Sequence, residues 1–202
     1  MGKLVVKVDP ATNSFRQSFE ADVPFPPHLP LVIGDCLSNA RTCLDYLVWE
    51  LALAAKTQPT NRHSFPVCKA PESFSECRRK GRFAGLSDEM IAEIEFLQPY
   101  SLGKDFKQHS FWVLDELCNI NKHRRILLAK IVPGIARKAP GSDRYTIVKQ
   151  GWAGKMEVND EIIAFIGFDE RGLEDGPDAS AILYECIDSI ERILPNFDRF
   201  FS

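Results

Sequence analysis

The sequence predicts an α+β fold in which central helices pack with a small antiparallel sheet and a C-terminal helix. Three observations carry that expectation. Apolar residues recur at helical spacing through residues 35–56 and again through 107–128, the period changes to that of strands over 144–169, and helical spacing returns over 177–194. A chain of 202 residues, 45% hydrophobic and 26% charged, has the composition of an ordinary globular protein and is read as a single domain, 1–202.

From the N-terminus, "KLVVKVD" has strand character and "FRQSFEADV" continues it as a hairpin. The clustered prolines of "PFPPHLP" fix φ and remove donors, so regular structure stops there. Asp35 is expected to cap the next helix, whose stripe is Leu37, Ala40, Leu44, Leu47, Val48 and Leu51 and which runs to about Lys56. Residues 57–86 lack periodicity and read as a long loop, made basic by "CRRKGRF". Ser87 caps a short helix over "SDEMIAEIEF", with Asp88 and Glu89 at its positive end. The helix from about Lys107 to Leu128 follows. "RYTIVKQ", "GKMEV" and "DEIIAFIGFD" then form an antiparallel meander, and Pro177 opens the last helix, whose stripe is Ile182, Leu183, Cys186, Ile187, Ile190 and Leu194.

Several function classes are excluded by what the sequence lacks. No apolar run approaches the roughly 18–20 residues that span a bilayer. The N-terminus has neither the apolar core of a signal peptide nor the serine or threonine that favours myristoylation, so a cytoplasmic protein is expected. There is no G-x-S-x-G, no P-loop and no G-x-G-x-x-G, so no hydrolase or nucleotide motif supports a cofactor. Cys68 and Cys77, even with His63, match no usual zinc spacing, and the six cysteines read as reduced thiols without a metal. Charge is uneven. Basic residues exceed acidic ones over 61–149 and the reverse holds over 155–202, which fits intramolecular complementarity or a basic surface for RNA or another anionic ligand. Arg78, Arg79, Lys80 and Arg82 concentrate that basic charge.

Two helices carry polar residues where apolar ones are expected. Arg41 and Asp45 lie about 40° apart at one edge of the first apolar stripe. In "VLDELCNINKHRRILL", Asn121 and Arg124 fall inside the stripe formed by Val113, Leu117, Ile120, Leu127 and Leu128. An unpaired charge on an apolar face costs several kcal/mol, so Arg124 is expected to pair with Asp45, while Asn121 bridges Arg41 or a backbone carbonyl. Trp112, Glu116, Asn119 and His123 form a separate strip, read either as an exposed helix surface or as a histidine oriented for acid–base work.

The motifs "GDCLSNARTCLDYLVWELA", "LQPY" and "LDELCNINKHR" resemble a widespread family of uncharacterised bacterial proteins, over roughly residues 24–125. Gly34, Asp35, Asn39, Arg41, Leu44, Asp45, Trp49, Asn119, Lys122, His123 and Arg124 match that family's pattern. Ser38 and Tyr46 stand where histidines are usual, and Asn121 replaces an aspartate. The resemblance implies membership without an established activity. A more distant likeness is to HEPN ribonucleases, whose motif is an arginine, four to six residues and a histidine. Arg41 has the spacing, but Tyr46 occupies the histidine position, and those domains are all-helical.

The leading expectation is a binding or regulatory protein for a ligand, nucleic acid or protein, with Arg41, Asp45, Asn119, Asn121, His123 and Arg124 clustered between two helices. The alternatives are a metal-independent HEPN-like ribonuclease using Arg41 and His123, and an assembly protein in which the cluster is a clamp. A homodimer is compatible with each.

Overall fold

The computed structural model describes residues 3–9, 14–20, 26, 28–123, 129–138, 145–150, 160–168 and 178–201. The chain divides into two units, Met1–Pro30 with Leu127–Ser180, and Leu31–Ile126 with Ala181–Ser202. The second unit carries most of the predicted site residues and is mostly helical, with no strand among its described residues. This corrects the α+β expectation: the fold class is mostly helical, and the helical unit holds its core together with helices and irregular segments among the described residues.

The first helix, α1, spans Leu29–Ala54. It begins six residues before the predicted cap, inside the proline-rich segment. Pro30 occupies the first turn, where a missing N–H costs nothing and a fixed φ favours the helix. Asp35 is therefore an exposed residue within α1, not its cap. Ile33, Leu37, Ala40, Leu44, Leu47, Val48 and Leu51 are buried along one face. The helix ends with Lys56 in the left-handed region at φ 56°. Thr57 N–H bonds Ala52 O and Lys56 N–H bonds Leu53 O, each at 2.8 Å, which satisfies two of the last carbonyls. Gly85, at φ 82°, lies so close to Thr57 that a β-carbon there would sit 1.9 Å from Thr57 Oγ1.

The segment expected to be a loop over 57–86 contains a second helix, α2, over Pro71–Arg79. Its signals are local: Pro71 at the start, Glu72 in the first turn, Arg78 and Arg79 in the last, and Gly81 at φ 78° just beyond. The third helix, α3, spans Asp88–Phe96, and the Ser87 side chain accepts from Met90 N–H as its sequence predicts. Tight 3-10 turns cover Pro99–Gln108, and α4 spans Ser110–His123. The last helix, α5, spans Ala179–Ile193 and passes into 3-10 turns over Leu194–Phe200. Its buried residues are Ala179, Cys186, Ser189, Ile190 and Ile193, so the face is rotated from the predicted stripe and leaves Ile187 and Leu194 exposed.

The core combines helix residues with aromatics delivered by irregular segments. Leu37, Leu44 and Leu51 of α1, Ile94 of α3, and Phe111, Leu114 and Leu117 of α4 are fully or almost fully buried. Phe65 and Phe197, from outside the α-helices, are also fully buried, and Phe65 meets Phe111 edge-to-face with centroids 5.7 Å apart.

The strands belong to the first unit. There β1, Lys3–Asp9, pairs antiparallel with β2, Ser14–Glu20, matching the predicted hairpin. The strands β3, Ala129–Lys138, β4, Tyr145–Gln150, and β5, Asp160–Phe168, pair antiparallel in the order β4-β3-β5. The predicted strand "GKMEV" lies outside the described residues. Among the described residues, no helix is long and apolar enough to cross a membrane.

Candidate functional site

Two polar constellations lie in the helical unit, and they differ in kind. The first is built around Arg41. One turn of α1 places Arg41 and Asp45 on the same edge, where Nη1 donates to Asp45 Oδ1 at 2.8 Å. Nε donates to Asp115 Oδ1 on α4 at 3.2 Å, and Nη2 donates to the Phe65 carbonyl at 2.7 Å. Asp45 Oδ1 in turn accepts the Phe65 N–H at 2.9 Å. Arg41 and Asp45 thus hold both backbone polar groups of a residue whose ring is buried in the core. Asn119 Nδ2 donates to Asp115 Oδ2 at 3.0 Å and extends the network along α4.

Every nitrogen of the Arg41 guanidinium has a protein acceptor, and its side chain is only 12% exposed. The arrangement ties α1, α4 and the segment before α2 together. Sequence reasoning brought Arg41, Asp45 and Asn119 into one cluster but missed Asp115, which joins them. The signal was its position four residues before Asn119, on the same helical face. Asp45 is occupied by Arg41 and Phe65; the expected partner, Arg124, and the side chain of His123 lie outside the described residues.

Asn121, expected to bridge Arg41 or a backbone carbonyl, lies against α1. Its amide packs on Gly34, where a β-carbon would lie 2.7 Å from Nδ2. Gly34 therefore permits the close approach of α1 and α4. The "LQPY" motif is likewise internal: Gln98 is fully buried, accepts Cys68 N–H through Oε1 and donates through Nε2 to Ile94 O, each at 2.9 Å. Tyr100 donates to Glu95 at 2.8 Å, and burial followed by that bond pushes its phenol well above the ordinary range.

The second constellation is an open cleft of about 750 Å³ at the end of α2. Asn61, Arg62, Ser64, Glu76, Cys77, Arg79, Lys80, Gly81 and Arg82 line it, so among the described residues four cations face one carboxylate. Arg79 grips Glu76 with two nitrogens, Nε at 2.9 Å and Nη2 at 2.7 Å, and Lys80 Nζ lies 3.2 Å from the same group. The Arg79 hydrogen bonds, then that of Lys80, hold the Glu76 carboxyl below its usual range. Arg82 Nη1 donates to Ser64 Oγ at 3.0 Å, fixing one guanidinium on the wall.

Of the predicted basic residues, Arg79, Lys80 and Arg82 meet in this cleft, while Arg78 pairs with Asp88 on α3. Arg62, Asn61, Ser64 and Glu76 were not singled out from the sequence. Glu76 was legible as an (i, i+3) and (i, i+4) partner of Arg79 and Lys80 once their segment is a helix. The Asn61–Ser64 wall had no local signal. His63 supports that wall: Nδ1 accepts Thr60 N–H at 3.0 Å, and Nε2 bonds Ala84 O at 2.9 Å, which together specify the Nε2-protonated ring. Among the described residues, no group of three or more His, Cys, Asp or Glu is placed to hold a metal ion.

No family model matches the chain, and no curated protein and no solved structure matches it significantly.

Proposed function

We propose that this protein is a binding module for a phosphate-bearing ligand, taken by the cleft at the end of α2, and that the Arg41 cluster is scaffold. The observation that carries this reading is the gathering of Arg62, Arg79, Lys80 and Arg82 around a cavity with Glu76 as its only carboxylate among the described residues. A cavity of about 750 Å³ falls within the range of small-molecule sites. Among the described residues no aromatic side chain lines it, so they offer no platform for stacking a base. Recognition would run through phosphate oxygens, which guanidinium forks suit. Single-stranded RNA held by its backbone is the ligand we place first.

Fluorescence anisotropy of a labelled, mixed-sequence single-stranded RNA tests this. Affinity should fall with salt, and three phosphate contacts on a single strand predict a log–log slope of roughly −2. Replacing Arg79, Lys80 and Arg82 together with glutamine should flatten the slope. Glu76→Gln should tighten binding, because it releases Arg79 and Lys80 from a competing anion. Absence of binding at low salt, or a slope unchanged by the triple substitution, would overturn the reading.

A further inference from the structure

The outer face of α1 does not match a helix surface that ends at water. Tyr46 is 64% exposed, Leu31, Val32 and Leu53 are about half exposed, and Trp49 is exposed beside them. Cys36 and Cys43 lie open on the same helix. Arg41 is the one cation of α1, and its guanidinium is held by Asp45, Asp115 and the Phe65 carbonyl. The residues of α1 that are both charged and exposed are Asp35 and Glu50. A solvated helix face is ordinarily polar, with charges of both signs. This one is largely apolar and carries no free cation.

The face also has a spacing. Cys36, Asn39, Cys43, Tyr46, Glu50 and Leu53 follow one another at alternating steps of three and four, the period by which one helix meets another along a seam. We propose that this face is the interface between two copies of the chain, which pair α1 against α1 in antiparallel about a two-fold axis. Such an axis brings residue i to residue j and j to i. Centred between Leu44 and Asp45, it sets Tyr46 against Cys43, Leu53 against Cys36 and Glu50 against Asn39 of the second copy.

That register fits in size, polarity and charge. Tyr46 and Leu53 each meet a small thiol, so large side chains fill the space that small ones leave. The two polar residues of the seam meet each other, and the Asn39 amide donates to the Glu50 carboxylate. Parallel pairing fails on the same residues, because it sets Glu50 against Glu50 and Tyr46 against Tyr46. Sliding the antiparallel pair by one heptad sets Glu50 against Val32 in one direction. In the other it carries Asn39 to Thr57, beyond the end of α1. The area is sufficient. The five large apolar residues present roughly 500 Å², near the upper end of what a monomer exposes in one patch. With Cys36, Cys43, Asn39 and Glu50 the face approaches the roughly 800 Å² per partner of a stable interface.

Sedimentation of the folded full-length protein reads the assembly, and the expected mass is that of two chains. Tyr46→Glu places a second carboxylate near Glu50 on a side chain already largely exposed. It should leave the far-UV circular dichroism unchanged and weaken association at least roughly tenfold. Tyr184→Glu, at a tyrosine of α5 that is 69% exposed, should stay paired. The register is read by mild oxidation of Leu53→Cys combined with Cys43→Ser. Trypsin cuts after Arg41 and Lys56, so a bridge from Cys36 to position 53 joins peptide 17–41 to peptide 42–56. The two positions are roughly 25 Å apart along one helix, so that bridge forms only between copies. The joined pair of different peptides is the expected product. Two joined copies of 42–56 would mean parallel pairing and would overturn the proposal. So would a native chain that stays single at its highest soluble concentration, or a pair broken by Tyr184→Glu and kept by Tyr46→Glu. If Tyr46→Glu fails to fold, the native mass and the linked peptides still decide.

Discussion

Replacing Arg41 with alanine should destabilise the helical unit by about 3 kcal/mol, and the network around it gives the reasons. The substitution removes one contact to Asp45, one to Asp115 and one to the Phe65 carbonyl. A fully buried ion pair that loses one partner costs roughly 3–5 kcal/mol. Here the aspartates are 38% and 31% exposed, so water recovers part of what they lose. Phe65 gains less relief, because its ring is wholly buried and its carbonyl loses the Arg41 donor. An orphaned carbonyl adds about 1–3 kcal/mol. These opposing corrections leave the total near 3 kcal/mol, equivalent to a melting shift of roughly 6–12 °C for a chain of this size. Urea and thermal unfolding followed by far-UV circular dichroism would measure it. Arg41→Lys keeps the charge but loses the fork, so it should recover less than half of the loss. Asp45→Ala should also destabilise, and the double variant should lose at least about 0.5 kcal/mol less than the two single losses combined. A loss below about 1 kcal/mol for Arg41→Ala would refute the clamp, since exposed pairs have that value.

Two other outcomes follow from local geometry. Gly85→Ala should cost several kcal/mol in the same unfolding assays, because it combines φ 82° with a β-carbon 1.9 Å from Thr57 Oγ1 and 2.6 Å from its Cγ2. A variant as stable as the native chain would show that this turn is not held against α1. His109 caps α4 with a neutral ring: Nδ1 accepts Phe111 N–H at 3.2 Å, and burial lowers the imidazole from its ordinary 6.5. The unfolded chain therefore takes up the proton first, and the stabilisation is lost as pH falls below about 6.5 toward the folded value. His109→Asn, which can still cap, should show less loss than the native protein between neutral pH and pH 5.5 in paired thermal melts; equal losses would remove His109 from the pH response.

The helices were legible where one face is apolar and a terminus is marked. Ser87 and the stripe of α1 show this, as both elements were expected close to where they form. The start of α1 was misjudged because prolines were read only as breakers, although Pro30 in a first turn lacks nothing that the helix needs. The helix α2 was missed for want of apolar period: Phe74 is its one buried residue, and its markers are Pro71, Glu72 and Gly81. The closure of the core could not be read at all. Phe65 and Phe197 are buried by long-range packing, and isolated aromatics between helices carry no periodicity that announces it.

The same distinction separates scaffold from site. A polar residue on an apolar face announces only that it must be paired, and it does not say whether the partner is a ligand or the chain itself. At Arg41 the partner is the chain. A phosphate arriving there would have to displace two carboxylates and a buried backbone carbonyl, then leave both aspartates beside a new anion. That is a poor starting point for a HEPN-like reaction, whose arginine must be free to meet the developing charge. At the end of α2 the balance is reversed. Arg79 and Lys80 share one carboxylate, Arg62 adds a further cation, and a ligand phosphate displaces at most the contacts to Glu76 and Ser64. Motifs drawn from the helical core thus explain how the helices are held. On the proposed reading, binding falls to the end of a short helix with little apolar pattern, where Arg79 and Lys80 are exposed and can serve a partner.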